Sequence, residues 1–252
     1  MRKIIVLMTS SLLLAACGEE AVDNKQSVSS TEVAQSQATN KQSGDSSKLK
    51  QFMAANKICD VISIEDIQQL FETSATIKAG EYNYRSRYSC TYTWDRADKA
   101  AREQLMMNNV MQAAQGKAEP LPMRQKMSTY QITVTLSESK RTAANFMPPM
   151  LTEAQLAEKI KMAKEAANKR LSNEQKELAG DAANSMVERL MEQSNQNQKV
   201  EGIGDVAYWT AVGTGGLNIL FGDVDIHIGP MIADTAKEDI ENAKKIAHVL
   251  LK

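Results

Sequence analysis

The chain has 252 residues, enough for one large domain or two small ones, and its 30 Lys and Arg residues are balanced by 31 Asp and Glu residues. Nucleic acids require a concentrated basic surface and anionic lipid headgroups attract a polybasic patch, so this balance argues against both as partners. Aromatic residues make up only 5% of the chain while Met occurs 14 times, so aliphatic and thioether side chains are expected to fill much of the core.

The N-terminus carries the pattern of a secretion signal. Arg2 and Lys3 precede an apolar run from Ile4 to Leu14 that is shorter than the ~20 residues a bilayer span requires. The run ends in Leu14-Ala15-Ala16-Cys17-Gly18. This stretch resembles the lipobox of bacterial lipoproteins. The resemblance implies removal of residues 1–16 and attachment of fatty-acyl chains such as palmitate to Cys17. Because Gly18 is not the aspartate that usually retains such proteins in the inner membrane, it also implies an outer-membrane anchor facing the periplasm if the source is Gram-negative.

Cys59 and Cys90 are the two cysteines that remain once Cys17 carries lipid. An exported protein meets an oxidising environment, so an even remainder indicates one structural disulfide between them. A redox pair would more typically be spaced Cys-x-x-Cys, and a zinc site would need more ligands than these cysteines and the distant His227 and His248.

Residues 17–47 are predicted to form a flexible tether, since they are rich in Gln, Ser, Thr, Asn and Asp and carry few large apolar side chains. A single α+β domain is expected over residues 48–252. Its first part is predicted to contain two short helices around Cys59, the second of them capped at Ser63.

Alternation of side chains then predicts a strand at 88–94 whose shared face is formed by Tyr88, Cys90, Tyr92 and Trp94. This face is predicted to be core, and a sugar-binding platform is the alternative. A helix at 96–118 is expected next, ended by Pro120 and Pro122, and a strand at 130–136 follows. The predicted inner side of that helix consists of Ala97, Ala101, Leu105, Val110 and Met111.

A proline-free stretch at about 152–198 predicts two amphipathic helices, 153–171 and 173–195, each opened by a capping box. Their predicted apolar stripes are Leu156, Ile160, Ala163, Ala167 and Leu171 on the first helix, and Leu178, Ala182, Met186 and Leu190 on the second. The pattern favours an antiparallel helical hairpin inserted between strands. It leaves open whether the hairpin packs on the sheet or forms a separate lobe.

Three strands in quick succession are predicted at 206–212, 217–221 and 224–228, followed by a helix at 235–251. The fold class that results is α+β, with a mostly antiparallel sheet, helices packed on one face and an inserted helical hairpin.

Two motifs carry a further resemblance. Cys90-x-x-x-Trp94 lies on a strand, and Gly202-Ile203-Gly204-Asp205-Val206-Ala207-Tyr208-Trp209 leads into the closing strands. Together with Cys59, they resemble a loose class of bacterial cell-envelope lipoproteins of unknown function. The resemblance implies a fold and a location, and it supplies no chemistry.

Asp223, Asp225 and His227 form the strongest local cluster of reactive side chains, with Asp225 and His227 on one face of a strand. Two carboxylates and an imidazole can hold a divalent cation or perform acid–base chemistry, which would suit a metal-binding or hydrolytic periplasmic protein. Strand alternation already explains all three residues, however, as a solvent-facing polar edge with Asp223 in a turn.

Seven methionines lie between residues 106 and 150: Met106, Met107, Met111, Met123, Met127, Met147 and Met150. Thioethers suit Cu(I) or an adaptable partner surface, but core filling is the favoured interpretation. The sequence therefore predicts no enzyme, no catalytic residue and no cofactor. It favours a lipid-anchored binding module whose partners are the membrane and an envelope protein or cell-wall component.

Overall fold

The computed structural model describes residues 45–115, 117 and 123–252, with only the backbone described at Glu174 and at 177–179. The predicted signal peptide, Cys17, almost all of the tether, and Pro120 and Pro122 lie outside these residues. Among the helices in the described ranges, none is both long and apolar enough to cross a membrane.

The described chain contains eight α-helices and seven strands. The helices are α1 (Ser47–Ala55), α2 (Ile64–Leu70), α3 (Lys99–Ala114), α4 (Met123–Lys126), α5 (Ala143–Phe146), α6 (Glu153–Arg170), α7 (Asn173–Ser194) and α8 (Ala236–Leu250). The strands are β1 (Lys78–Tyr84), β2 (Arg87–Asp95), β3 (Thr129–Glu138), β4 (Gln198–Val200), β5 (Val206–Thr210), β6 (Gly216–Phe221) and β7 (Val224–Met231). A single 3₁₀ turn, Ile58–Asp60, lies between α1 and α2.

All seven strands form one sheet in the order β1-β2-β3-β7-β6-β5-β4, and every neighbouring pair is antiparallel. The predicted α+β class is confirmed. The two outermost strands, β1 and β4, were not predicted, because β1 is exposed along its whole length and β4 has only three residues. Neither strand shows the apolar alternation that marks a half-buried strand.

One face of the sheet is the core of the domain. A row of paired residues crosses five strands on this face, formed by Cys90, Val134, Ile228, Leu217 and Trp209. The helices α1, α2 and α8 and the 3₁₀ turn cover it. Tyr92 and Trp94 are buried in this core, so their stripe is structural and is not a sugar-binding platform.

The predicted disulfide is confirmed, with the Cα atoms of Cys59 and Cys90 5.0 Å apart. It joins the 3₁₀ turn to the core face of β2. The hydroxyl of Tyr92 donates hydrogen bonds to the carbonyl oxygens of Cys59 at 3.0 Å and Ile62 at 2.7 Å. Burial raises the pKa of this phenol, so Tyr92 keeps its proton and remains a donor.

The predicted inner side of the third helix is wrong. Ala97, Ala101, Leu105, Val110 and Met111 are all exposed, and Arg102 is the one buried residue of α3. The reason is topological: other helices cover the core face, and α3 packs mainly on the short helix α4. Five of the seven clustered methionines are exposed as well, so the core-filling interpretation is also wrong for Met106, Met107, Met111, Met123 and Met150.

The helical hairpin, formed by α6 and α7, is present with both capping boxes, at Thr152 and Ser172. Its base is closed by Asn195, whose side chain accepts a hydrogen bond from the backbone N–H of Leu151 at 2.6 Å and donates one to its carbonyl at 3.0 Å. The predicted stripe of α7 is displaced: Ala182 and Met186 are exposed, while Ala183, Val187 and Leu190 lie partly covered. The side chain of Leu178 lies outside the described part.

Candidate functional site

The face of the sheet opposite the core is polar. One row of paired residues on this polar face runs Ser89, Thr135, His227, Asn218 and Tyr208 across five strands. Two hydrogen bonds between hydroxyl groups join β2 to β3. Ser89 is bonded to Thr135 at 2.8 Å, and Thr91 to Thr133 at 3.2 Å. Helix α5 crosses this face, where Phe146 packs against Tyr208 and Leu220.

Asp225 and His227 share the polar face, as the alternation of β7 predicts. Arg141, in the loop before α5, donates a hydrogen bond of 2.7 Å to Oδ2 of Asp225. Arg141 is itself held by Phe146, since the guanidinium carbon lies 4.3 Å from the centre of the phenyl ring. The other carboxylate oxygen of Asp225, Oδ1, is buried and has no hydrogen-bond partner among the described residues.

His227 packs against Gly216 so closely that this position requires glycine, and it also contacts Gly229. A Cβ atom added at Gly216 would lie 2.8 Å from Nε2 of the imidazole, and one at Gly229 would lie 3.4 Å from it. Nδ1 of His227 lies 3.0 Å from Oδ1 of Asn218. An amide oxygen accepts and cannot donate, so Nδ1 carries the proton and Nε2 is left as the acceptor of a neutral ring.

Burial lowers the pKa of His227, and the positive charge of Arg87 lowers it further. The neutral imidazole is therefore the favoured form near neutral pH. The interpretation of this strand as a solvent-facing edge was wrong for His227, which is half-buried, because sequence alternation does not reveal the segment containing Arg141 and Phe146 that covers the face.

Asp223 does not join this cluster. It lies in the turn between β6 and β7, where it accepts a hydrogen bond of 2.6 Å from the hydroxyl of Ser46 and forms an ion pair with Lys50 of α1. The hydrogen bond from Lys50, followed by that from Ser46, lowers the pKa of Asp223. The predicted trio is thus divided between two sides of the molecule, and Ser46 already belongs to the folded domain.

Within the described ranges, no group of three or more His, Cys, Asp and Glu side chains is arranged to hold a metal ion. His248 is exposed on α8, next to the loop of Gly202 and Gly204, and is remote in the fold from His227. A thioether site for Cu(I) stays an untested alternative.

The hairpin groove is the second candidate site. It is an open depression of about 620 Å³ along the helical hairpin. Its lining consists of Glu153, Leu156, Ala157, Ile160, Lys161, Lys164, Glu165, Asn168, Asn184, Glu188 and Glu192. The sequence predicted Leu156 and Ile160 on the apolar stripe but not Ala157, and it gave no sign that these residues would remain accessible.

Two features of the hairpin groove concern charge and hydrogen bonding. Lys164 is paired with Glu188 at 2.6 Å, so the remaining charges of the lining are three carboxylates and the single ammonium group of Lys161. In addition, Oδ1 of Asn184 is buried and accepts no hydrogen bond from the described residues. The groove is therefore acidic and contains an unused acceptor.

No protein-family model matches the chain, and neither the curated proteins nor the solved structures contain a significant match to it.

Proposed function

We propose that this chain is a lipid-anchored cell-envelope protein, held by acylated Cys17, that acts as a non-catalytic binding module. If the source is Gram-negative, the anchor lies in the outer membrane and the domain faces the periplasm. The helical hairpin is the docking element, and its partner is an amphipathic helix with basic side chains on another envelope protein. The observation that carries this proposal is the acidic hairpin groove with the unused acceptor of Asn184.

Incomplete packing of the hairpin supports a helical partner. No residue of the 18-residue helix α6 is fully buried, although its lining residues include Leu156, Ala157 and Ile160. A third helix laid along the groove would remove these side chains from water, which is how amphipathic helices dock into apolar grooves. At 1.5 Å per residue, α6 offers a track of roughly 27 Å.

Charge complementarity specifies the partner further. Glu153, Glu165 and Glu192 outnumber Lys161 once the Lys164–Glu188 pair is set aside. An Arg or Lys side chain of the partner would meet these carboxylates and could donate a hydrogen bond to Oδ1 of Asn184. A buried acceptor without a donor costs about 1 to 3 kcal/mol, so filling it favours association.

Site-specific photocrosslinking in the native envelope tests this proposal. A photoreactive residue at Ala157, inside the groove, is expected to capture one amphipathic helix bearing Lys or Arg, identified by sequencing the crosslinked peptide. The same residue at Ala182, exposed on α7 outside the groove lining, is the control and should capture little of that helix.

Charge reversal provides the matched comparison. Glu192→Lys, within the groove lining, should strongly reduce the crosslink from Ala157, whereas Glu158→Lys, exposed on α6 outside that lining, should leave it unchanged. Equal crosslinking in both variants, or capture of a segment without basic side chains, would reject the proposed docking mode.

A further inference from the structure

We infer that the polar face of the sheet contains a second binding site, separate from the hairpin groove, for a small hydroxylated anion such as a sugar acid or a sugar phosphate. The site is a pocket of about 290 Å³ beneath the segment that contains Arg141 and Phe146. Six side chains supply its chemistry: Arg87, Thr135, Ser137, Arg141, Asp225 and His227. We call it the polar pocket.

The anionic part of the ligand is specified by Arg87. Its guanidinium forms no ion pair or hydrogen bond with another described residue, whereas Arg141 at the same pocket is already bound to Asp225. Arg87 is also close enough to His227 for its charge to act on the imidazole. A free guanidinium binds carboxylate and phosphate groups alike through paired N–H donors, so either acid group fits.

The hydroxylated part of the ligand is specified by acceptors. Oδ1 of Asp225 is a buried carboxylate oxygen with no donor among the described residues. Ser137 adds a hydroxyl that can accept or donate. Hydroxyl groups of a polyol would donate to Asp225 and form a hydrogen bond with Ser137. An inorganic anion without hydroxyl groups, such as sulfate, satisfies Arg87 and leaves Oδ1 of Asp225 unfilled.

Rigidity distinguishes the polar pocket from an ordinary polar surface. His227 is fixed by Asn218 and by close packing against Gly216, and Arg141 is fixed by Asp225, by the ring of Phe146 and by a 3.3 Å hydrogen bond to the carbonyl of Phe146. Side chains that are ordered before binding lose little entropy when the ligand arrives.

Calorimetric titration of the mature chain in detergent tests this inference with four probes. Glucuronate and glucose 6-phosphate carry both features, glucose carries only the hydroxyls, and sulfate carries only the charge. At least one of the two acidic sugars should bind more tightly than both single-feature probes. The one that binds identifies carboxylate or phosphate as the acid group. Equal binding of glucose or of sulfate, or no binding of either acidic sugar, would overturn the inference.

Variants assign the binding to this pocket. Arg87→Gln should weaken binding of the acidic sugar by about tenfold or more, because a charge-assisted pair is lost. Arg85→Gln is the matched control, since Arg85 lies two residues away and its guanidinium packs on Tyr84 instead of the pocket. Both arginines are exposed, and equal thermal unfolding midpoints would show that both variants fold. Binding that persists in Arg87→Gln, or is lost equally in Arg85→Gln, would contradict the assignment. The hairpin crosslinks do not depend on either result.

Discussion

Two arginines, buried Arg102 and half-buried Arg124, attach the region of α3 and α4 to the rest of the domain. Arg102 donates hydrogen bonds to Asp98 at 2.7 Å and to Asp234 at 2.8 Å, and it also reaches the carbonyl of Arg124 at 2.9 Å. Arg124 in turn is paired at 2.9 Å with Asp239, which is fully buried at the start of α8. Polar contacts thus hold this region where its apolar side chains remain exposed instead of packing in the core.

Replacing Arg124 by Ala tests this attachment, because it leaves the carboxylate of Asp239 buried without its cation. Breaking a buried ion pair in this way typically costs about 3 to 5 kcal/mol of the free energy of unfolding. Burial already raises the pKa of Asp239 despite Arg124, and removal of Arg124 should raise it further. Protonation of Asp239 then relieves the cost, so the loss should be smaller at pH 5 than at pH 7.

Urea unfolding of wild type and Arg124→Ala at the two pH values measures this difference. Lys126→Ala, on the same short helix, is the control, because Lys126 forms no ion pair with another described residue, and it should cost little at either pH. An equal loss of unfolding free energy for Arg124→Ala at pH 5 and pH 7 would show that protonation of Asp239 does not relieve the cost.

His227 gives a second prediction at the level of single residues. Its pKa is lowered in the folded state, first by burial and then by Arg87, while the unfolded chain takes up the proton near the ordinary value of about 6.5. As the pH falls, the imidazole is therefore protonated first in the unfolded chain. The free energy of unfolding decreases from about pH 6.5 down to the lowered pKa of His227 in the folded state. Charged groups that face the ring are Arg87 on β2, and Asp225 and Arg141 at the same pocket.

The free energy of unfolding should consequently decrease more between pH 7 and pH 5 in wild type than in His227→Gln. Since the chain has only two histidines, NMR of labelled imidazoles can follow His227 directly, with His248 assigned by its own substitution. Arg87→Gln should raise the pKa of His227, and an unchanged titration would rule out the influence of that guanidinium.

Residue-level features of the polar pocket were only partly predictable. Strand alternation places Asp225 and His227 on one face, because successive side chains of a strand point to opposite sides. Arg87, Asn218 and Arg141 come from other segments, and nothing in their local sequence relates them to His227. The hydrogen bond between Ser46 and Asp223 joins residues 177 positions apart, and the local sequence could not predict it either.

At the level of elements, local signals were reliable where they involve local hydrogen bonds. The capping boxes at Ser63, Thr152 and Ser172 each mark the start of a helix in the structure. The predicted inner side of α3 was wrong. Apolar spacing shows which residues a helix can bury together, but the topology decides whether another element packs on that side. The exposed strand β1 was missed for the complementary reason, since its pairing with β2 depends on backbone hydrogen bonds and leaves no apolar pattern.

The disulfide is the element-level feature whose contribution can be measured most directly. It closes a loop with a sequence separation of 31 residues between the 3₁₀ turn and β2. The chain-entropy model assigns a loop of this length roughly 3 to 4 kcal/mol of stabilisation, because the bridge restricts the unfolded chain. Replacing Cys59 and Cys90 together by Ala should lower the free energy of unfolding by this amount in urea titrations.

Reduction of the wild-type chain provides the independent comparison for this prediction. The reduced wild type and the double variant should unfold at similar urea concentrations, both below that of the oxidised protein. A double variant as stable as the oxidised protein would mean that the packing of Tyr92 against the turn, and not the bridge, holds these segments together.

The whole molecule combines a proposed membrane anchor with two proposed binding surfaces, the hairpin groove and the polar pocket. If the predicted tether at 17–47 is a flexible chain, its typical end-to-end distance is roughly 30 Å, which would let the domain move clear of the lipid headgroups. The hairpin groove and the polar pocket are lined by different elements of the domain, so the proposed ligand and the proposed helical partner would not compete for one surface. Anchoring would confine both events to the vicinity of the membrane.

Substitution of Cys17 by Ser tests the anchor on which this arrangement depends. Each buried methylene contributes about 0.8 kcal/mol, so two or more acyl chains should retain the wild type in the membrane fraction through a high-salt wash. Mass spectrometry of its N-terminal peptide should show a chain that begins at an acylated Cys17. The Cys17→Ser variant should keep residues 1–16 and carry no acyl chain. Cys59→Ala, which removes a cysteine without touching the lipobox, is the control and should still be acylated. An unmodified Cys17 in a wild-type chain that retains residues 1–16 would remove the basis for the anchor, while leaving both binding surfaces to be tested independently.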